Sequence, residues 1–190
     1  MGKLFDEISP EIQSWIEKQK MFFVATAPLA TNGHVNCSPK GLDSFRILSP
    51  TEVVYQDLTG SGAETIAHIQ ENNRITIMFC AFEGPPKIFR FYGEGQPVFP
   101  GDKKFDGLNE LFPKRLGVRA YILIKVTRIT DSCGYGVPLY EFKEDRNQMI
   151  AWAENKQEDG ILEYQKIKNV KSIDGLKALP LNTSSKNTQR

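Results

Sequence analysis

Arg74 to Phe82 (Arg-Ile-Thr-Ile-Met-Phe-Cys-Ala-Phe) and Ala120 to Ile129 (Ala-Tyr-Ile-Leu-Ile-Lys-Val-Thr-Arg-Ile) are two nearly unbroken β-branched, aromatic and aliphatic runs. Such runs are strand material, and both fall well short of the roughly 20 apolar residues that a bilayer-crossing helix needs. Further strand-length runs surround them: Met21 to Ala27, His34 to Ser38, Ser44 to Leu48, Glu52 to Gln56 and Lys87 to Tyr92. Six or more strands separated by short helices leave few ways to bury their apolar faces. They predict a mainly β protein built as an antiparallel β-barrel with peripheral helices.

The punctuation between the runs agrees with this. Asn32-Gly33 is a hairpin signal, and Pro39-Lys40-Gly41 is expected to break the following ladder. Glu83-Gly84-Pro85-Pro86 makes a tight connection, because proline cannot join a central ladder. Gly93 and Gly95 predict a bulge in the strand that Ile88 begins. Ser9-Pro10 opens an N-terminal helix with Ile12, Trp15 and Ile16 on its apolar face. Helices are also expected from Thr65 to Asn72, from Asp106 to Leu116 and from Arg146 to Gln157. The predicted organisation is an N-terminal helix over 1–20, a barrel over 21–132, a C-terminal segment packed on it over 133–181, and a disordered polar tail over 182–190.

A length of 190 residues suits one well-packed domain. The net charge of +1 provides no global field to draw the chain to nucleic acid or to a membrane surface. Neither partner is expected. Three cysteines, Cys37, Cys80 and Cys133, lie far apart without metal-ligand spacing. Reduced thiols and a cytoplasmic location are the expectation, with all three small buried side chains by default and Cys80 most clearly so. Neither His34 nor His68 has a carboxylate or cysteine at metal spacing.

The stretch Asp57-Leu58-Thr59-Gly60-Ser61-Gly62-Ala63-Glu64-Thr65 carries the strongest functional signal. It joins a strand to a helix start through two glycines and two hydroxyl side chains. The first N–H groups of a helix lack intrahelical partners, and the dipole there favours negative charge, so this is a ready anion site. A plainer reading stands beside it: Ser61 caps the helix, Glu64 completes a capping box, and the glycines serve the turn.

Phe22 to Ala27, Val35 to Gly41, Asp57 to Gly62 and Arg74 to Phe79, taken in that order, resemble the pyridoxamine 5′-phosphate oxidase-like family. Phe82-Glu83-Gly84-Pro85-Pro86 and Cys133-Gly134-Tyr135-Gly136-Val137-Pro138 resemble a subgroup of oxidases within it. The resemblance implies a split β-barrel that binds FMN and pairs as a homodimer. It implies that Lys40 reaches the flavin, and that Asp57, Thr59, Gly60, Ser61 and Gly62 form the phosphate segment. Arg90, on a strand, is a further candidate for a ligand anion. Two family sequences are missing, the Ser-Arg-Lys phosphate motif and the terminal Arg-x-His substrate motif. Oxidation of pyridoxamine phosphate is therefore not expected. Two functions remain open: an FMN-dependent oxidoreductase acting on a small-molecule substrate, and a non-catalytic small-molecule binder on the same barrel.

Overall fold

Alternation along the strands sets the architecture. Residues 2–180 are described in a computed structural model, and the predicted tail at 182–190 lies outside them. The elements in chain order are β1 (Leu4–Phe5), α1 (Pro10–Ile16), β2 (Phe22–Thr26), β3 (Asn36–Lys40), β4 (Phe45–Ser49) and β5 (Glu52–Leu58). Then follow α2 (Glu64–Asn72), β6 (Arg74–Cys80), β7 (Ile88–Val98), α3 (Phe105–Asn109), β8 (Val118–Ser132) and α4 (Gln148–Lys168). The strands form one antiparallel sheet in the order β3-β2-β6-β7-β8-β5-β4, with β1 paired to β8.

This sheet rolls up. Phe22 on β2 has its ring centroid 5.2 Å from Phe45 on β4 and 5.7 Å from Tyr55 on β5. Three strands lie between β2 and β5 along the sheet path and four between β2 and β4, so only curling brings the rings together. Val24, Val53, Ile77, Phe91, Ile122 and Ile124 alternate inward from five strands into the same core. The helix α2 adds Ile66 and Ile69 to that core, and α1 adds Ile12 and Ile16. A second cluster lies on the outer face, where Val54, Tyr121 and Leu123 pack under Leu108 and Phe112. β8 is thus buried on both faces around Tyr121, which is why its sequence reads as a continuous apolar run.

No ladder joins β3 to β4 among the described residues. The chain crosses this seam through residues 41–44, where Leu42 (φ 62°) and Asp43 (φ 52°) take the left-handed conformation. That conformation is uncommon for a side chain such as leucine. Arg46 holds the crossing by pairing with the Asp43 carboxylate at 2.7 Å, and Arg115 donates to the Leu42 carbonyl. Across the seam itself, Lys40 Nζ on β3 reaches Asp57 Oδ1 on β5 at 3.2 Å. The other Asp57 oxygen accepts from Arg119 Nε on β8 at 2.6 Å.

Several local expectations need correction. Cys80 is buried, but Cys37 and Cys133 are exposed. Pro39 and Lys40 continue the β3 ladder opposite Phe23 and Phe22 rather than breaking it. Proline is tolerated there because β3 is an edge strand. The helix predicted over Asp106 to Leu116 spans only Phe105–Asn109, since Gly107 weakens it and Pro113 cannot extend it. The helix predicted to end at Gln157 runs on to Lys168, with Gln157 non-helical (φ 56°) at a kink. The expected bulge is present between Tyr92 and Gly93. A Cβ on Gly93 would lie 2.4 Å from the Lys125 carbonyl oxygen, so only glycine permits the strands to approach there. Among the described residues, no helix is long and apolar enough to cross a membrane.

Asp57 is the buried anion of the seam, with a side chain 1% exposed. Burial raises its pKa, but the charges and hydrogen bonds of Arg119 and Lys40 outweigh that and hold it below the usual carboxylate value. Its stabilising effect is therefore complete above about pH 4 and fades as the pH falls through the lowered native value. Asp57→Asn would strand the buried Arg119 charge and is expected to cost about 3–5 kcal/mol at pH 7. The urea midpoint measured at pH 7 and again near pH 3 checks this. A variant as stable as the parent at pH 7 would contradict it.

Candidate functional site

Beyond β5 the chain passes through Thr59-Gly60-Ser61-Gly62-Ala63 and enters α2 at Glu64. Ala63 occupies the N-cap position, and no side-chain hydrogen bond caps the helix among the described residues. The capping box read from Ser61 and Glu64 is thus absent. Glu64 instead accepts the Ile173 N–H, at 3.2 Å to each carboxylate oxygen. Nor do the glycines serve a left-handed turn, for neither Gly60 nor Gly62 has positive φ. At Gly60 a Cβ would meet nothing within 4 Å. Neither backbone conformation nor protein packing requires glycine at that position, and the bare backbone faces open space.

That space is a cavity of about 1510 Å³. Lys40, Thr59, Gly60 and Ser61 line one side, and the β6–β7 connection contributes Phe82 and Pro85. Trp15 and Lys18 border it from α1 and the residues following it, and Tyr140 and Phe142 come from the segment between β8 and α4. Trp152 and Tyr164 of α4 complete the wall, with ring centroids 5.1 Å apart in an edge-to-face pair. The segment between β8 and α4 is tied to the β6–β7 connection through Tyr140 N–H to the Phe82 carbonyl (2.8 Å) and Phe142 N–H to the Glu83 carboxylate (2.7 Å).

The sequence candidates fall into distinct places. Ser61 is exposed on the cavity wall, and its hydroxyl has no hydrogen-bond partner among the described residues. Thr59 is buried and its hydroxyl is engaged, donating to the Gly117 carbonyl (2.8 Å) and accepting from Gln165 Nε2 (2.7 Å). The expectation that it offers a free donor is corrected accordingly. Asp57 lies behind Lys40, with no exposed surface of its own to offer a ligand. Gly62 is not on the wall, and its carbonyl accepts from Arg119 Nη1 at 2.7 Å. Arg90 is also off the wall, donating to Ser132 Oγ at 3.0 Å. Tyr135 is 82% exposed and away from the cavity, whereas Trp152 is part of it. The two histidines take structural contacts: His34 Nδ1 with Asp174 (2.7 Å), and buried His68 with Thr26 Oγ1 (3.0 Å).

Arg119, Gln165 and Asn169 were not visible as site residues in the sequence. Arg119 opens a long apolar run, where a charge reads as a solvated strand end. Its only signal is the register that sets Asp57 opposite Ala120. Charge gives the site its character. Lys40 and Arg119 bring two positive charges against one negative on Asp57, leaving the group at +1. The uncapped start of α2 adds positive dipole end and free N–H groups beside it. An excess of one positive charge, reaching the cavity through the partly exposed Lys40, next to unpaired donors fits an anion such as a phosphate ester.

The chain is similar to several known proteins. The family model described as pyridoxamine 5′-phosphate oxidase matches residues 8–133. The pyridoxamine 5′-phosphate oxidase family protein ustO of Aspergillus flavus is 38% identical over 200 residues, covering 94% of this chain and 78% of that protein. Among solved structures, HupZ of Group A Streptococcus is 28% identical with a TM-score of 0.53, covering 64% of this chain and 91% of its own. A histidine-to-alanine variant of HupZ is 27% identical with a TM-score of 0.55, covering 66% of this chain and 99% of its own. The split barrel and the match across most of its strands lead to one assignment: this chain belongs to the pyridoxamine 5′-phosphate oxidase family.

Proposed function

We propose that the protein binds FMN and acts as a flavin-dependent oxidoreductase on a small-molecule substrate, as a homodimer. The observation that carries the reading is the +1 group of Lys40, Asp57 and Arg119 behind the Thr59–Gly62 turn, with Lys40, Thr59, Gly60 and Ser61 lining a large aromatic-walled cavity. Family membership supports the same cofactor. Ser61 Oγ and the N–H groups of the turn would hold the phosphate, and Lys40 would supply charge from the cavity floor. Asp57 keeps Lys40 in place, because a lysine so held cannot swing into solvent. Trp152, Tyr164 and Phe82 offer apolar and aromatic surface for a planar ring and keep water from it. A bound flavin supplies the electron or hydride transfer, and the chain supplies binding, orientation and electrostatics.

The homodimer draws support from apolar side chains left in solvent. Val35, Leu139 and Tyr140 are 74%, 73% and 64% exposed. The two-faced burial of β8 removes part of the apolar surplus expected from its sequence, since α3 and Phe112 cover that face within the chain. The exposed residues near the hairpin and in the segment after β8 remain, and a self-complementary interface would cover them. Light scattering at micromolar concentration is expected to give the mass of two chains. A monomer would refute the pairing.

The protein as purified should carry a flavin absorbance spectrum and turn over with a reduced nicotinamide. Flavin without turnover would favour a binding module on the same barrel. Pyridoxamine phosphate is expected to be oxidised at most very slowly, because the Ser-Arg-Lys and Arg-x-His sequences are missing. Brisk pyridoxal phosphate formation by FMN-loaded protein would reverse that expectation.

Substitutions test the cradle directly. Lys40→Ala should weaken FMN about tenfold to a hundredfold, on the order of 1.4–2.8 kcal/mol. Ser61→Ala should cost less, because the N–H groups remain. Ser61→Asp sets a carboxylate against the phosphate. Since the Ser61 side chain makes no hydrogen bond among the described residues, the melting temperature should hold while FMN binding is lost. Full FMN affinity in Ser61→Asp would sink the assignment.

A further inference from the structure

α4 lies beyond the segment that the family model matches, yet it reaches the turn that carries the candidate phosphate site. Gln165 Nε2 donates to Thr59 Oγ1 at 2.7 Å, and Asn169 Nδ2 donates to the Gly60 carbonyl at 3.0 Å. Asn169 is fully buried, and its Oδ1 has no partner among the described residues. Reversing the amide would set that oxygen against the Gly60 carbonyl, acceptor to acceptor, so the nitrogen belongs where it stands. The backbone around Asn169 is itself anchored, its N–H donating to Gln165 and its carbonyl accepting from Leu179.

A trans peptide is planar, with its C=O and the next N–H pointing in opposite directions. Asn169 holds the Gly60 carbonyl, so the Ser61 N–H is turned away from Asn169. On the far side of the turn, Arg119 holds the Gly62 carbonyl and so fixes the Ala63 N–H in the same way. Thr59 is held from the interior, its N–H and hydroxyl both donating to the Gly117 carbonyl, but no side-chain hydrogen bond caps α2 among the described residues, and two glycines make the free conformations of 60–62 numerous. We propose that Gln165 and Asn169 are positioning residues that preorganise the Thr59–Gly62 turn for the phosphate of the cofactor. The C-terminal helix is then part of the cofactor site. This rests on the FMN reading above and adds residues that touch no ligand. Coupling of this kind is reciprocal, so an anion in the turn tightens the docking of α4.

Riboflavin, which lacks the phosphate, separates positioning from general stability. FMN and riboflavin affinities are measured by flavin fluorescence on the full chain and on its Gln165→Leu and Asn169→Ala variants. The parent is expected to prefer FMN. Each variant is expected to lose about tenfold in FMN affinity, with riboflavin affinity unchanged. Variants that keep the parent's preference for FMN would overturn the positioning role while leaving the phosphate site standing. Equal loss for both flavins would mark a general structural role and overturn it too. A parent that binds the two flavins alike removes the phosphate site and this inference with it. If a variant does not fold, amide hydrogen exchange on the parent decides the matter. FMN should protect 60–63 and 165–169 together, and protection of the turn alone would refute the coupling.

Discussion

Asp57 is the constraint on which the rest of the structure leans. One buried carboxylate meets a lysine from an edge strand and an arginine from a central one, and so links β3, β5 and β8. A buried ion pair is not stabilising by default, because removing charges from water costs several kcal/mol per ion. Here the geometry offsets that cost. The Arg119 contact is short, its guanidinium also bonds the Gly62 carbonyl, and Lys40 keeps part of its side chain at the cavity. The same contacts that hold the barrel together also fix the sign and the place of its surplus charge. Fold and site cannot be altered independently at this position.

The fold was largely legible because period-two alternation and turn residues act locally. Phe22, Val24, Ile75, Ile77 and Phe79 announce their faces in the sequence, and each is buried in the core. Where a property depends on partners far along the chain, the sequence is nearly silent. Arg119 gave no sign of its role, because only the β5–β8 register makes it the neighbour of Asp57. Pro39 looked like a ladder breaker, because nothing local says that β3 is an edge.

The site shows the same division. The glycines and Ser61 were readable as a candidate anion turn, since a helix start exposes donors whatever surrounds it, and Ser61 and Gly60 do lie on the cavity wall. Thr59 was read alike, but its hydroxyl turned out to serve the interior, between Gly117 and Gln165. Gln165 and Asn169 gave no local sign, as a polar residue on a helix has the same appearance whether it faces solvent or a loop more than a hundred residues earlier. Burial and hydrogen bonding, rather than residue type, separate these cases.

The seam between β3 and β4 has a consequence for how the barrel moves. Everywhere else along the sheet path, neighbouring strands are joined by a ladder, and parting them would break several backbone hydrogen bonds at once. Here only side chains and a strained four-residue crossing bridge the gap. Parting the barrel along the seam would therefore break no backbone ladder among the described residues and leave the other strands paired. Lys40 stands at that line and on the cavity wall, so an opening of the seam would carry part of the cavity wall with it. An occupant resting against Lys40 would act as the barrel's missing staple.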